Sequence, residues 1–219
     1  RANPYMQKRF AREIQVLANL HNPFILPAHD VVEFEIGGEK ITGFVTEFAT
    51  GPSLHDVLEA EGKIDPLRLA NLTAQIAYGL ESLREAGIVH RDIKPGNIFL
   101  QSLAEKEPED GEVPEEKEEK EKFVRIGDFG IAGFAFESEK PHVRDEGDVF
   151  DQLKRDPKLT EVRTIIGTIS YMPPEAMMGH PVDHRSDLYS LGVMMYELAS
   201  GQRPYEGDME KQFMAKTMD

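Results

Sequence analysis

Cysteine is missing from all 219 residues of the chain. The segment therefore forms no disulfide, which fits a reducing compartment and predicts a cytoplasmic location. It also lacks an apolar run long enough to cross a membrane, so we predict no membrane contact from this segment, leaving open an anchor outside it. Positive charge is scarce, with 25 Lys and Arg against 40 Asp and Glu and a net charge of −15. This balance argues against a nucleic-acid binder, because phosphate backbones attract cationic surfaces.

The acidic charge is concentrated in residues 101–122, which hold 10 Asp and Glu against 4 Lys. A segment with so little apolar surface cannot stabilise an ordered core. We predict that residues 101–122 form a solvated, disordered insert. An acidic docking arm for a partner is the alternative interpretation.

The first 48 residues predict one helix and one hairpin. Residues 10–20 carry apolar side chains at helical spacing, and Pro23 ends the pattern. Two β-rich runs follow, 31–36 and 41–48, and Gly37-Gly38-Glu39-Lys40 joins them. Glycines in so short a connection are typical of a hairpin turn, because they accept positive φ values.

The rest of the chain predicts two long helices and two short strands. The first helix spans residues 65–86, and Gly87 follows it as a C-cap. Its apolar stripe is Leu69, Leu72, Ile76, Leu80 and Leu83. Short strands are predicted at 98–100 and 123–126. The second helix spans 186–199, with Ser186 as N-cap and Gly201 after its end. Its predicted core face is Leu188, Leu191, Met195 and Leu198.

A run of polar residues interrupts these elements as His90-Arg91-Asp92-Ile93-Lys94-Pro95-Gly96-Asn97. Four further motifs follow in order: Asp128-Phe129-Gly130, Gly167-Thr168, Met172-Pro173-Pro174-Glu175, and the series from Asp187 to Val193. Together they resemble the catalytic loop, metal triplet, substrate segment and central helix of protein kinases of the Ser/Thr type. The residues that make up these motifs are most similar to those of bacterial members of the family.

The resemblance implies ATP and Mg²⁺ as cofactors and Ser/Thr hydroxyls of proteins as acceptors. Asp92 matches the catalytic base, and Lys94 matches the residue that offsets charge on the migrating phosphoryl group. Asn97 and Asp128 match the metal ligands, which suits the preference of Mg²⁺ for oxygen. Thr168 is expected to hydrogen-bond Asp92 and Lys94.

Three further residues match the family's ATP-binding elements. Glu13 corresponds to the helix glutamate that pairs with a lysine on a neighbouring strand, although a solvated carboxylate is the plainer interpretation. Backbone groups of Glu47 and Ala49 correspond to the hinge that holds adenine. Phe44 and Phe48 beside the hinge are also readable as core strand residues.

Regulation is implied by Arg91, because kinases with this arginine are commonly switched by phosphorylation of the activation segment. Here that segment corresponds to residues 128–175. Its candidate phosphate acceptors are Thr160 and Thr164, with Ser138 a weaker candidate.

These features predict an α+β, two-lobed fold of the protein-kinase type. Residues 1–48 correspond to part of the small lobe and hinge, and residues 49–219 to a large lobe without its closing helices. The family's Gly-x-Gly-x-x-Gly-x-Val loop and its strand lysine do not occur in these 219 residues. We therefore expect a fragment with little activity by itself. A pseudokinase scaffold is the non-enzymatic alternative. A small-molecule phosphotransferase is disfavoured, because those enzymes lack the substrate segment.

Overall fold

The computed structural model of the chain describes residues 16–36, 39–102, 122–129 and 169–218. Its elements, in chain order, are β1 (Ala28–Ile36), β2 (Glu39–Thr46), α1 (Leu54–Glu61), α2 (Pro66–Glu85), a 3-10 turn (Pro95–Asn97), β3 (Ile98–Ser102), β4 (Lys122–Ile126), α3 (Pro174–Met177), α4 (His184–Ser200) and α5 (Met209–Thr217). None of the helices in these ranges is long and apolar enough to cross a membrane.

Strands β1 and β2 form the predicted antiparallel hairpin. Ile36 pairs with Glu39, so the connection is two residues long, and Glu39 and Lys40 belong to the strand rather than to the turn. Strand β2 ends at Thr46. Phe48 therefore lies beyond the strand with 82% of its surface exposed, and its interpretation as a core residue is wrong. Of the helix predicted at 10–20, only the end lies within the described residues, where 16–18 are helical.

Helix α2 forms the centre of the core. Asp65 caps it, because its carboxylate accepts from the backbone N–H groups of Leu67 and Arg68. All five residues of the predicted apolar stripe are buried. Gly79 lets the helix approach β4, since a Cβ at this position would lie 2.5 Å from Cδ1 of Ile126. Gly87 follows the helix with a φ of 72°.

Helix α4 differs from its prediction in both its start and its buried face. It begins at His184 with Asp183 as N-cap, so the assignment of that role to Ser186 is wrong. Leu188 is 53% exposed, which also contradicts its place on the core face. The helix instead buries polar residues in its first half, as described below. Leu191 and Leu198 are buried and Gly201 is a left-handed C-cap, as predicted.

The core lies where α2 packs against both α4 and β4, while α1 packs against β3 and the 3-10 turn. Gly51 makes this packing possible, because a Cβ there would lie 1.6 Å from the carbonyl oxygen of Leu100. Helices combined with two two-stranded sheets are compatible with the predicted α+β class. The division into two lobes stays a prediction.

Candidate active site

The pairing of β3 with β4 brings two distant motifs together. Ile98 pairs with Ile126, so the residues just outside the strands, Asn97 and Gly127, emerge at the same end of the sheet. The backbone N–H of Gly127 donates to the carbonyl of Asn97 at 2.9 Å. The segment from His90 to Asn97 therefore lies against Asp128, although residues 103–121 separate the strands in the chain.

Asp92, Lys94 and Asn97 form one hydrogen-bonded cluster. The Lys94 ammonium lies 2.7 Å from Oδ2 of Asp92, and both side chains are more than three quarters buried, with 24% and 21% exposed. The Asn97 amide donates to the same oxygen at 2.8 Å and to the Asp92 carbonyl at 2.8 Å. Its nitrogen also lies 3.3 Å from the carbonyl of Asp128. The Lys94 ammonium and the Asn97 amide thus orient the Asp92 carboxylate, and Asn97 also connects it to the start of the Asp128 motif.

Asn97 and Asp128 are suited to hold a magnesium ion. Because the Asn97 amide nitrogen faces Asp92 and the Asp128 carbonyl, the amide oxygen is directed away from them and can serve as a ligand. Asp128 is exposed, so its carboxylate can reach a ligand. The described residues contain no cluster of three or more metal-ligating His, Asp or Glu. Mg²⁺ fits such a site, because it commonly takes only one or two protein ligands and completes its shell with water and phosphate.

Both ends of the site have unusual backbone geometry. Arg91 has a φ of 70° and Asp128 a φ of 51°, and both lie in the left-handed region that residues other than glycine rarely adopt. Such conformations persist only where surrounding contacts hold them, and they are enriched at functional sites. Arg91 directly precedes the residue that the motifs assign to the base, and Asp128 is itself one of the two residues that they assign to the metal.

Asp187 of α4 provides one of these contacts. Its two carboxylate oxygens accept from the backbone N–H groups of His90 and Arg91, each at 2.8 Å. Burial raises the pKa of Asp187, while the two backbone hydrogen bonds oppose that shift. In the sequence, Asp187 is recognisable only as part of a motif. Its role depends on backbone partners, which leave no signature in the sequence.

His90 also connects the catalytic loop to the Asp128 motif. Its Nε2 lies 3.1 Å from the carbonyl oxygen of Gly127. Its ring packs against Phe129 with a centroid separation of 4.7 Å. Burial is the main cause that lowers the pKa of His90 to about 4, so the imidazole is neutral at pH 7. A neutral ring bonded to Gly127 donates its Nε2 proton to that carbonyl.

The end of the predicted substrate segment is fastened to α4. The hydroxyl of Ser186 donates to Oε1 of Glu175 at 2.6 Å. This hydrogen bond satisfies the hydroxyl of Ser186, which is buried. Ser190, one turn later, donates to the carbonyl of Tyr171 at 2.8 Å. Two serines that interrupt the apolar pattern of α4 therefore contact residues 171–175.

The predicted hinge follows β2 directly. The backbone N–H of Glu47 donates to the carbonyl of Pro27 at 2.9 Å. Of the two backbone groups of Glu47, the carbonyl is therefore the one that can bind a ligand. Ala49 lies two residues on, in a connection without regular structure. Four other predicted site residues lie outside the described residues: Glu13, Thr160, Thr164 and Thr168. Of the insert predicted at 101–122, residues 103–121 lie outside them too, whereas Gln101 and Ser102 belong to β3 and Lys122 to β4, so the ends of this insert are strand residues and not disordered. Most of the activation segment, from 130 to 168, also lies outside the described residues.

Comparison with known proteins identifies the family. The model of the protein kinase domain matches residues 1–219. A probable serine/threonine-protein kinase of Streptomyces coelicolor is 35% identical over 206 residues, which cover 94% of this chain and 25% of that protein. Serine/threonine-protein kinase PknB of Mycobacterium tuberculosis is 31% identical over 94% of the chain and 27% of its own length. The chain spans about a quarter of the length of these relatives. The resemblance seen in the motifs is thus confirmed, and the chain belongs to the protein kinase domain family.

Proposed function

We propose that this chain carries the phosphotransfer site of a Ser/Thr protein kinase, which moves the γ-phosphate of ATP to hydroxyl groups of protein substrates. The observation that carries the proposal is the cluster of Asp92, Lys94 and Asn97 beside Asp128. The printed names of the relatives, serine/threonine-protein kinases, support the acceptor class.

Asp92 is assigned as the base. Both side-chain donors that reach its carboxylate within the described part meet Oδ2. This leaves Oδ1 to accept the proton of the substrate hydroxyl as the oxygen attacks phosphorus. Lys94 stands next to that carboxylate and offsets negative charge on the transferring phosphoryl group. Mg²⁺ bound by Asn97 and Asp128 would neutralise the ATP phosphates.

ATP is held at the other end by backbone groups of Glu47 and Ala49, with Glu13 supporting the phosphate-binding lysine of the family. Arg91 is assigned to regulation, because a phosphate on Thr160 or Thr164 would offer it a charged partner. Phosphopeptide mapping of the purified protein would identify the modified threonine. Finding neither residue modified in active protein would remove this part of the proposal.

The proposal is tested with the protein expressed from its complete reading frame. Asp92→Asn keeps the size of the side chain and its contact with Lys94 but removes the base. We expect phosphate transfer from labelled ATP to casein to fall about 10²- to 10⁴-fold. Binding of ATP, measured by calorimetry, should change little. The isolated 219-residue chain should transfer little phosphate in this assay, since it contains no Gly-rich loop motif or matching strand lysine.

The outcome also separates the enzymatic proposal from the pseudokinase alternative. Equal transfer by wild type and Asp92→Asn would remove Asp92 from the role of base. A wild-type protein that binds ATP but phosphorylates no protein, itself included, would favour a scaffold.

A further inference from the structure

Lys216, near the end of α5, donates its hydrogen bonds outside its own helix. Its ammonium lies 2.8 Å from the carbonyl of Ile169, 2.8 Å from that of Ser170 and 3.0 Å from that of Met172. An ammonium group has three N–H donors, and here they match three carbonyls of one short segment. A lysine in the last turn of a helix more commonly stays near that helix's own carbonyls.

The surroundings of Lys216 favour a fixed position. Its ammonium lies 5.3 Å from the ring centre of Tyr205 and 5.9 Å from that of Tyr189, within reach of cation–π attraction. Burial lowers the pKa of Lys216 to about 8, whereas the three carbonyl oxygens favour its charged form. Partial burial of an ammonium group costs free energy unless all its N–H groups are hydrogen-bonded. The position of Lys216 therefore depends on the three carbonyls, and their position depends on Lys216.

All four carbonyls of the contacted segment, residues 169–172, accept from side chains of other elements, and that of Ile169 also accepts from the backbone N–H of Met172 at 3.1 Å. Lys216 satisfies three of its four carbonyls, and Ser190 of α4 satisfies the fourth, that of Tyr171. Arg203 also donates to the hydroxyl of Ser170 at 2.8 Å. In its sequence position the segment directly follows Gly167-Thr168, the motif matched to the substrate-facing part of kinases.

We propose that Lys216 is a positioning residue that sets the backbone of residues 169–172 and, through it, the affinity for the protein substrate. The inference rests on the proposed function, because it assigns the substrate side of the same site. Lys216 lies on an element separate from the catalytic loop and from the predicted hinge. Its loss should therefore affect the binding of protein substrate and leave the binding of ATP unchanged.

The test compares Lys216→Met, Lys216→Gln and the matched control Lys211→Met in the protein from its complete reading frame. Methionine keeps the length of the side chain without donors, while glutamine keeps two N–H donors. Lys211 is exposed on the same helix. Hydrogen exchange of a peptide covering 169–178 reports on the segment, and a peptide from α2 serves as internal reference. Casein and ATP are the probes for steady-state kinetics.

For Lys216→Met we expect faster exchange at 169–172, unchanged exchange in α2, a KM for casein raised about tenfold and a KM for ATP within about twofold of wild type. Lys216→Gln should fall between methionine and wild type, and Lys211→Met should match wild type. Unchanged exchange in Lys216→Met would overturn the inference, as would faster exchange without a change in the casein KM. A parallel rise of both KM values would also overturn it, because that pattern indicates general loosening.

Failure of the proposed function gives a different pattern. If the wild-type protein phosphorylates no substrate, the proposed function fails and the substrate half of the inference fails with it. The exchange measurement needs no activity, so it still decides whether Lys216 holds the segment. If wild type is active and Lys216→Met is indistinguishable from it, only the inference about Lys216 fails.

Discussion

Buried polar side chains at the candidate site each have specific partners. His90 is 1% exposed and both Asn97 and Asp187 are 4% exposed, and all three bond backbone groups of the catalytic loop or of the Asp128 motif. A buried polar group left without a partner costs about 1–3 kcal/mol, more than the net gain from an ordinary hydrogen bond. Loss of one side chain would therefore leave its backbone partners unsatisfied and loosen the loop.

The variant Asp187→Asn tests whether loss of one buried polar partner loosens the catalytic loop. Asp187 is 97 positions from its partner His90 in the chain. An asparagine offers one acceptor oxygen, so its NH₂ group would face one of the two backbone N–H donors. We expect the free energy of unfolding to fall by about 1–3 kcal/mol in urea denaturation. Phosphate transfer should fall as well, because the backbone next to Asp92 loses an anchor.

Asp183→Asn is the matched control on the same helix. Asparagine is as good an N-cap as aspartate, and the ion pair of Asp183 with the exposed Arg185 contributes little. This variant should stay within about 1 kcal/mol of wild type and keep its transfer activity. If both variants behaved alike, the anchoring role of Asp187 would be wrong.

Asp92, Lys94 and Asn97 belong to one short motif of the sequence, and the structure places them in one hydrogen-bonded cluster. The contact of this cluster with the Asp128 motif was implied only by resemblance. Asp187 could not be predicted as an anchor, because it binds N–H groups that every residue but proline carries. The catalytic and metal roles of these residues stay predictions.

At the scale of elements, α4 organises most of the described site. Its first turn holds the catalytic loop through Asp187, and its second turn holds Tyr171 through Ser190. At its other end the carbonyl of Leu198 accepts from the N–H of Ile64, before α2. Periodicity predicted the helix but misplaced Leu188, because apolar spacing takes no account of the polar face turned toward the loop.

Two glycines of this helix region give a matched pair of stability predictions. Gly192 lies inside α4, where an added Cβ meets nothing within 4 Å, so Gly192→Ala should raise the free energy of unfolding by about 0.5–1 kcal/mol. Gly201 has a φ of 78°, and a Cβ there would lie 2.6 Å from the carbonyl oxygen of Gly62. Gly201→Ala should therefore lower the free energy of unfolding by about 1–2 kcal/mol or more.

Urea denaturation followed by circular dichroism measures both glycine variants. Neither glycine belongs to the proposed site, so transfer activity should remain in folded protein. Opposite signs of the two stability changes are the expected result. A stabilising effect of Gly201→Ala would show that the end of α4 does not need its left-handed conformation.

At the scale of the whole molecule, the described parts are joined by contacts between residues distant in the chain. The individual helices and strands follow from periodicity and end signals, which are local. The packing of α2 against α4 and β4 is not local, and it depends on close approaches such as that at Gly79. These approaches need the shape of both surfaces, which one sequence does not display.

Folding stability as a function of pH depends on His90, which is buried in the centre of these contacts. Its pKa is about 4 in the folded chain against 6.5 for an ordinary histidine. Between these pH values the unfolded chain binds a proton that the folded chain excludes, so stability is lost as the pH falls from about 6.5 toward 4. This difference corresponds to roughly 3 kcal/mol.

His90→Phe keeps an aromatic ring against Phe129 and removes the titrating group. We expect it to lower the free energy of unfolding at pH 7 by about 1–3 kcal/mol, because the carbonyl of Gly127 loses its donor. The difference in free energy of unfolding between His90→Phe and wild type should then become smaller as the pH falls from 6.5 to 4.5, since only wild type loses the contribution of His90. Asp187, whose pKa burial raises, accepts from the backbone N–H of His90 and is present in both proteins, so the difference between the two urea-denaturation profiles isolates the side chain of His90. Profiles that stay parallel over this range, with the exposed His55→Phe as control, would contradict a buried, neutral His90.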